Sequence, residues 1–525
     1  MREYSVDMGG ADSRQPLGHH LEKRLGIAAL AAAMLLGGCA VGPDFKLPAA
    51  PKETSYTEQP LPAATASAPG LGGASQRFAP GGDISAQWWT LFHSAEIDAL
   101  IKEALTNSPT LGAAQATLRQ ARETLRANQG GLLLPSVTAQ TQGSRQRTSG
   151  GATGTSFGAA ELNTLNATVS VSYNVDVFGS ARRQIEGVEA QVDASRFQLE
   201  ATYLTLTANV VTTALREASL RAQLRATEEI AEAQAQQLRL VQQQFSVGAV
   251  PRSTVLQQQT QLATTRASIP GLEKQLGQTR DQLAVLIGKA PSAAELPVIK
   301  LENLTLPTEL PVSLPSSLVR QRPDIRASEA QLHQASAQIG VATAAMLPQF
   351  SITGDYGYQG SRLANLFNPA NVLWSLAGGL TQPIFKGGQL TAERRAAIAA
   401  YDAAWQQYRS TVLQGVQNVA DTLVALETDA RTLAADVEAD SLARETLDLA
   451  AAQYKLGAVS YLTLLDAQRQ YYQAHVTLIQ AQATRFTDTA TLFQALGGGW
   501  WNRTESLAEV PSPSAWSGQV EQQNP

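Results

Sequence analysis

Few residues in this chain could carry out chemistry. Its 525 residues include one cysteine, Cys39, and five histidines, of which His93, His333 and His475 stand apart in the sequence. A thiolate can act as a nucleophile, bind a metal or become modified, and imidazoles serve in acid–base catalysis and metal binding. No GxGxxG, Walker, HExxH or GxSxG pattern lies in a convincing setting. The sequence therefore predicts a protein that is not an enzyme and that holds no metal or catalytic cofactor.

The cysteine follows a segment typical of a secretory leader. A basic pair precedes an apolar run of about 12 residues, Leu25–Leu36, which is shorter than the about 20 that a transmembrane helix needs. The LGGC motif that ends at Cys39 resembles the bacterial lipobox. This resemblance implies that residues 1–38 are a signal peptide, that Cys39 receives N-palmitoyl and S-diacylglycerol groups, and that Ala40 favours sorting to the outer membrane. The alternative is that Cys39 is an ordinary small residue after a common type of signal.

The composition excludes several classes of protein. The formal net charge is -5, which argues against a nucleic-acid binder because such a protein needs a basic face. One cysteine cannot form a disulfide framework. The mean hydropathy of -0.13 argues against a membrane protein built from many apolar helices.

An internal duplication organises most of the chain. The segment QFSVGAV, which ends at Val250, matches QYKLGAV, which ends at Val459, and the offset between the two halves stays near 210 residues. We predict a first repeat over 84–288, a connection over 289–309 and a second repeat over 310–497. A lipidated linker, rich in Pro, Ala, Gly and Ser and with little core, is predicted over 39–83. Residues 498–525 form a C-terminal tail.

Each repeat contains one very long helix. The segments Ala181–Phe245 and Leu390–Tyr454 lack proline and consist mainly of strong helix formers. About 65 residues at about 1.5 Å each would make a rod of about 100 Å. Such a rod does not fit inside a compact domain, so we expect a coiled coil or a wall of packed helices.

A glycine follows each long helix. Gly248 and Gly457 occupy positions where helices commonly end in a left-handed residue. Further helices are predicted at Ser253–Ile287 and Tyr461–Leu496.

Alternating segments precede the long helices and predict strands. Within Ala167–Val177 the residues of one face are apolar, and the other face carries Thr168, Ser170, Ser172, Asn174 and Asp176. Alternation over about ten residues is typical of transmembrane β-strands, although a half-buried soluble sheet is the alternative. Further strands are predicted at Phe350–Tyr358 and Val372–Ile384, with a weaker one at Val137–Gln142, and Gly/Ser/Thr-rich loops at Gly143–Asn166 and Gln359–Asn371.

Two residue pairs lie at the boundaries of these elements. The pair Trp88-Trp89 is expected to anchor a hydrophobic core. The pair Arg182-Arg183 follows a predicted strand, so we expect both side chains at the membrane interface with their charged ends in water.

Four strands are too few to form a closed membrane structure alone. An unpaired backbone group in lipid costs several kcal/mol, so a sheet in lipid cannot keep an open edge. The smallest barrels have about eight strands. Two copies of the chain would supply eight strands and three copies twelve, so the sequence predicts an oligomer of at least two chains.

Several motifs occur in an order that resembles a known family. They span nearly the whole chain after Cys39: Ala40-Val41-Gly42-Pro43-Asp44-Phe45, Trp88-Trp89-Thr90-Leu91-Phe92, Arg320-Gln321-Arg322-Pro323-Asp324-Ile325, Ala345-Met346-Leu347-Pro348, Gln382-Pro383-Ile384-Phe385 and Gly457-Ala458-Val459-Ser460-Tyr461-Leu462. The chain resembles the TolC-like outer-membrane factors, in particular the OprM-type lipoproteins of RND multidrug efflux systems.

This resemblance implies a fold, a location and partners. The fold is mostly α, with a trimeric 12-stranded β-barrel, a 12-helix periplasmic α-barrel and a mixed equatorial domain. The homotrimer lies in the outer membrane of a Gram-negative bacterium and extends into the periplasm, with a periplasmic adaptor and an inner-membrane RND transporter as partners. Its implied function is that of a passive exit duct for drugs or other small molecules.

The family closes its periplasmic tip with apolar and acidic rings. The matching positions here are Leu462 and Asp466, four residues apart and therefore on one helix face. Three leucines would form a constriction and three carboxylates a ring that attracts cations. The alternative for Asp466 is an acid that favours a helix N-terminus. Gly248 and Gly457 are either turn residues only or also part of an adaptor contact.

Two other functions remain open at this point. A duct for type I protein secretion would share the fold, and a structural coiled-coil lipoprotein would share the helices but have no pore. Conductance in a planar bilayer separates the second alternative from a channel.

Overall fold

A computed structural model of the chain describes residues 40–148, 160–504 and 507. The described residues are mostly helical, and their strands form two sheets. The helices are α1 (Ala95–Asn107), α2 (Pro109–Leu133), α3 (Ser180–Ser246), α4 (Arg252–Leu286), α5 (Pro315–Gln321), α6 (Pro323–Ala344), α7 (Gln389–Lys455) and α8 (Tyr461–Ala495). The strands are β1 (Arg77–Pro80), β2 (Ser136–Thr148), β3 (Ala160–Val175), β4 (Glu309–Val312), β5 (Gln349–Gly360) and β6 (Val372–Thr381).

The element order confirms the duplication. The order α2, β2, β3, α3, α4 recurs as α6, β5, β6, α7, α8. Both α3 and α7 contain 67 residues, and each end lies within one residue of the predicted segment. Among the helices of the described residues, none has both the length and the apolar character needed to cross a membrane.

The larger sheet has the strand order β2-β3-β5-β6, and all neighbours are antiparallel. It is more extensive than predicted, because β2 continues to Thr148 and β3 begins at Ala160, inside the segment expected to be a loop. Apolar alternation fades there because both faces become polar. The ladder nevertheless persists, and Arg145 forms an ion pair of 2.6 Å with Glu161 across the two strands.

The chain divides into two compact units. Of the described residues, one contains 40–45, 126–148, 160–188 and 334–401, and it holds the four-stranded sheet. The other contains 46–125, 189–333, 402–504 and 507.

Aromatic residues form the centre of the core in the second unit. Trp88 is 1% exposed and Trp89 is 3% exposed, which confirms that this pair anchors a core. The ring of Trp88 stacks on Phe493 with 5.4 Å between centroids, and Phe92 and Phe486 pack beside it. Such contacts add to the stabilisation from burying apolar area.

The segment predicted as a linker has more core contacts than its composition suggests. Its strand β1 pairs in parallel with β4, and Phe78 is buried. Arg485 is fully buried and donates hydrogen bonds to the backbone oxygens of Leu426, at 2.8 Å, and Ala74, at 3.3 Å. The expectation of little core was therefore wrong here, because Phe78 belongs to the core and the pairing with β4 and the hydrogen bonds from Arg485 also hold the segment.

Candidate channel sheet and helical tips

The four-stranded sheet exposes apolar side chains on one face. Because side chains alternate along a strand, the register places Val171 beside Val137 on one neighbouring strand and Gly354 on the other. The exposed apolar residues of this face are Val137, Val169, Val171, Ile352, Tyr356, Trp374, Leu376 and Leu380. An apolar band of this width is unusual on a surface in contact with water.

The opposite face of the sheet is polar. Ser170 lies opposite Thr138 and Asp355, and Asp355 lies opposite Ser375. The Asp355 carboxylate accepts hydrogen bonds from the Ser170 hydroxyl, at 2.6 Å, and from the Ser375 hydroxyl, at 2.9 Å. The polar face predicted from the alternation of β3 is thus confirmed, and it extends across all four strands.

Both edges of this sheet have unpaired backbone groups. Within the described residues, β2 pairs only with β3 and β6 pairs only with β5. An edge strand presents free N–H and C=O groups to any further strand, and such an edge is not tolerated in lipid.

The glycine turns have the same geometry in both repeats. Gly248 has φ +78° and Gly457 has φ +73°, a region that favours glycine. In each turn the following alanine donates a backbone hydrogen bond five residues back, from Ala249 to Gln244 at 2.8 Å and from Ala458 to Gln453 at 2.9 Å. The turn role of both glycines is confirmed, and adaptor contact stays a prediction.

Leu462 and Asp466 share the exposed face at the start of α8. Leu462 is 53% exposed, and the Asp466 side chain is 52% exposed with a long ion pair of 3.7 Å to Arg469. Their neighbours Leu464 and Leu465 are buried. A face of this kind is free for contact with other copies of the chain, and the gate role of both residues stays a prediction.

Hydrogen bonds between the repeats near the tips were not predicted from the sequence. The Tyr461 hydroxyl donates to Oε1 of Gln258, and the Tyr454 hydroxyl donates to Oε1 of Gln244 at 3.2 Å. Burial raises the pKa of Tyr461, so its phenol remains a donor at physiological pH. The only available signal was the presence of tyrosine in the second repeat at the place of Phe245 in the first.

Beside Tyr461, a buried amide lacks partners. Gln258 donates from Nε2 to the backbone oxygen of Gln234 at 2.9 Å, and both glutamines are fully buried. Within the described residues the side-chain amide of Gln234 has no hydrogen-bond partner. Because an unsatisfied buried polar group costs free energy, this region is a weak point of the helix packing.

A titratable pair on α7 and α8 was also missed. Burial, a hydrogen bond shared with Asp429 and the charge of Asp429 raise the pKa of Asp488 to about 7, while Arg485 opposes the shift. The two aspartates are separated by nearly 60 residues in sequence, so spacing alone does not reveal the pair.

The residues considered for chemistry are dispersed. His93 is exposed at the end of a short 3-10 helix, and His475 contacts Asp440 through Nδ1 at 3.0 Å. His333 lies on α6. Cys39, together with the leader over 1–38, lies outside the described residues.

Comparisons with known proteins match this architecture. The family model described as outer membrane efflux protein matches residues 100–289 and 314–498. The chain belongs to the outer membrane efflux protein family. It is 33% identical over 427 residues to the pyoverdine export outer membrane protein OpmQ of Pseudomonas aeruginosa, covering 80% of this chain and 89% of the relative.

Two further similarities extend over more of the chain. The probable efflux pump outer membrane protein TtgC of Pseudomonas putida is 29% identical over 488 residues, covering 92% of this chain and 97% of the relative. The solved outer-membrane channel OprN has a TM-score of 0.80 at 26% identity and covers 88% of this chain and 100% of its own.

These similarities confirm the family and the fold predicted from the motifs. The chain is a TolC-like outer-membrane channel of an efflux system, and it is located in the outer membrane. The members of this efflux family are channels rather than enzymes.

Proposed function

We propose that three copies of this chain form a passive exit duct of an RND-type tripartite efflux pump. The observation that carries this proposal is the four-stranded sheet, which has one apolar face, one polar face and two unpaired edges. Pairing β2 of one chain with β6 of the next removes both edges, and three chains give a barrel of 12 strands. The polar face with Asp355 then lines a wet lumen, and the apolar face contacts lipid.

The duct has no catalytic activity of its own and takes its energy from partners. A periplasmic adaptor contacts the tips around Gly248 and Gly457, and an inner-membrane RND transporter supplies substrates. TtgC is by its name one component of an efflux pump, which supports this division of labour. The substrates are small molecules, by analogy with the export role named for OpmQ.

Leu462 and Asp466 form the periplasmic gate in this proposal. Their exposed positions on one face of α8 support it, because three copies around an axis would bring both rings to the lumen. The hydrogen bond between Tyr461 and Gln258 then holds α8 against the first repeat in the closed state.

Cys39 carries the lipid anchor, with N-palmitoyl and S-diacylglycerol groups. Two or more acyl chains bind a membrane stably, at about 0.8 kcal/mol for each buried CH₂. Labelled palmitate should enter the wild-type chain but not Cys39→Ser, and label in that variant would contradict the assignment.

Purified protein in a planar bilayer tests the duct directly. We expect trimers by native mass spectrometry and large conductance steps once the gate is opened by substitution. A chain that stays monomeric and water-soluble after its acyl groups are removed would overturn the proposal. A deletion strain that becomes drug-sensitive supports RND efflux, whereas one that only fails to secrete a protein contradicts it in favour of type I secretion.

A further inference from the structure

The residues that follow Cys39 occupy a cleft in the unit that contains the four-stranded sheet. The cleft lies between the start of α3 and the C-terminal part of α6. The backbone N–H of Val41 donates to the Phe178 oxygen at 3.0 Å. Arg183 donates from Nε to the Val41 oxygen at 3.2 Å and from Nη2 to Oδ1 of Asp44 at 2.6 Å.

Arg183 does not reach the solvent as the sequence suggested. It is 5% exposed, and its remaining terminal nitrogen donates to Glu186 at 2.7 Å. A buried guanidinium needs hydrogen bonds in several directions at once, and here two of them end on residues 41 and 44. The side chain therefore connects α3 to the first residues after the lipid site.

Glycines allow the backbones in the cleft to touch. A Cβ on Gly42, which has φ +99°, would lie 2.5 Å from Cα of Gly340 on α6. A Cβ on Gly179 would lie 2.5 Å from Cα of Ala40. No L side chain fits at these distances, so the cleft is shaped for the backbone of residues 40–42.

The cleft lies at one end of the membrane strands. Gly179 stands between the last residue of β3, Val175, and the first residue of α3, Ser180. Cys39 directly precedes Ala40 in the sequence.

We propose that this cleft is a clamp that seats the mature N-terminus, so that the acyl chains on Cys39 enter the lipid at the level where the sheet ends. The inference rests on the proposed lipid anchor and membrane sheet. Arg183 is its positioning residue, and the lipid leaflet on the helix side of the sheet is the partner. Seating the anchor there couples acylation to insertion of the strands, because the acyl chains and the apolar face of the sheet meet the membrane at one place.

Gly340→Ala tests the clamp without removing a hydrogen-bonding group. Alanine favours a helix over glycine, so the substitution alone should not weaken α6. Its Cβ would lie 2.8 Å from Cγ of Arg183 and 2.9 Å from the Val41 oxygen, and would displace residues 40–42. The control is Gly187→Ala on α3, whose Cβ would make an ordinary contact of 3.5 Å with Gln338.

Two readouts separate a clamp from a general packing defect. In detergent-purified protein, we expect amide exchange at Val41 to rise at least about tenfold in Gly340→Ala while exchange in α3 and α6 stays unchanged. In cells, palmitate incorporation should stay unchanged while inserted, heat-stable trimers fall severalfold. In a Cys39→Ser background, produced with a leader of the common type, Gly340→Ala should have no further effect.

Failure of the clamp and failure of the proposed function would give different results. Fast exchange at Val41 already in the wild type, or an equal loss of trimers in both backgrounds, would overturn the clamp while leaving the channel intact. Absence of palmitate from the wild type would instead remove the lipid anchor itself.

Discussion

The Tyr461 hydroxyl donates a hydrogen bond to Oε1 of Gln258, which joins the first turn of α8 in the second repeat to α4 in the first. Gln258 is fully buried, so water cannot replace the phenol when the bond breaks. This contact lies one residue from Leu462, the predicted constriction. Movement of α8 away from the first repeat must therefore break it.

Tyr461→Phe should favour the open channel. Loss of the donor leaves a buried acceptor unsatisfied in the closed state, at a cost of about 1–3 kcal/mol. Because about 1.4 kcal/mol is a factor of ten, the ratio of open to closed channels should rise about fivefold or more. Single-channel recordings and antibiotic uptake by cells measure this ratio.

The matched control for this variant is Tyr356→Phe, which removes a hydroxyl from the apolar face of the sheet. Its conductance should equal that of the wild type. Equal open times in Tyr461→Phe and the wild type would exclude the hydrogen bond from gating.

Asp466→Asn should lower the preference of the channel for cations. Three carboxylates around an axis attract cations, and the amide retains the size of the side chain while removing this charge. Its ion pair with Arg469 is long and exposed, so its loss should change stability by less than about 1 kcal/mol. Reversal potentials in a salt gradient measure the selectivity, with the exposed Glu445→Gln on α7 as control. An unchanged reversal potential would place Asp466 outside the lumen.

Regular elements were predictable from the sequence to a useful degree. The observed ends of α3 and α7 lie within one residue of the predicted ends. Gly248 and Gly457 mark the C-terminal ends of these helices in the sequence and in the structure. Strands β2, β3 and β5 were predicted too short, whereas β6 was predicted to continue to Ile384 and ends at Thr381. Periodicity detects a strand only where its two faces differ, and beyond Gln142 both faces are polar.

Contacts between distant residues could not be predicted. The interface role expected for Arg183 assumed that a charged side chain beside a strand points to water, but it pairs with Asp44, 139 residues away in sequence. The Asp429–Asp488 pair likewise results from packing of α7 against α8 within the second repeat, and the contact of Tyr461 with Gln258 from packing between the repeats. A single sequence contains no periodic signal for such partners.

Val171→Arg should prevent normal assembly in the membrane. Val171 lies on the apolar face, and an arginine on the lipid face of a strand costs about 2–4 kcal/mol at the bilayer midplane. We expect severalfold fewer heat-stable trimers in outer-membrane fractions. The control Gln140→Arg adds the same charge to the polar face, opposite Thr168, and should assemble normally. Assembly of Val171→Arg at the wild-type level, with loss in Gln140→Arg, would mean that the faces are reversed.

Asp488→Asn should stabilise the protein more at pH 8 than at pH 5. The pKa of Asp488 in the folded chain is raised to about 7, far above the value of an exposed carboxyl, mainly by burial and then by Asp429. The folded state therefore favours the protonated acid, and this stabilisation is present at low pH and is lost as the pH rises through about 7.

An asparagine is neutral at every pH, so the variant avoids the cost of a buried charge at pH 8. Thermal unfolding of detergent-purified trimers at pH 5 and pH 8 gives the two differences in midpoint between variant and wild type. Glu438→Gln, at an exposed position on α7, serves as control. Its unfolding midpoint should differ from that of the wild type by the same small amount at both pH values. If the advantage of Asp488→Asn is the same at pH 5 and pH 8, Asp488 is already ionised at pH 5, and the pair with Asp429 does not share a proton.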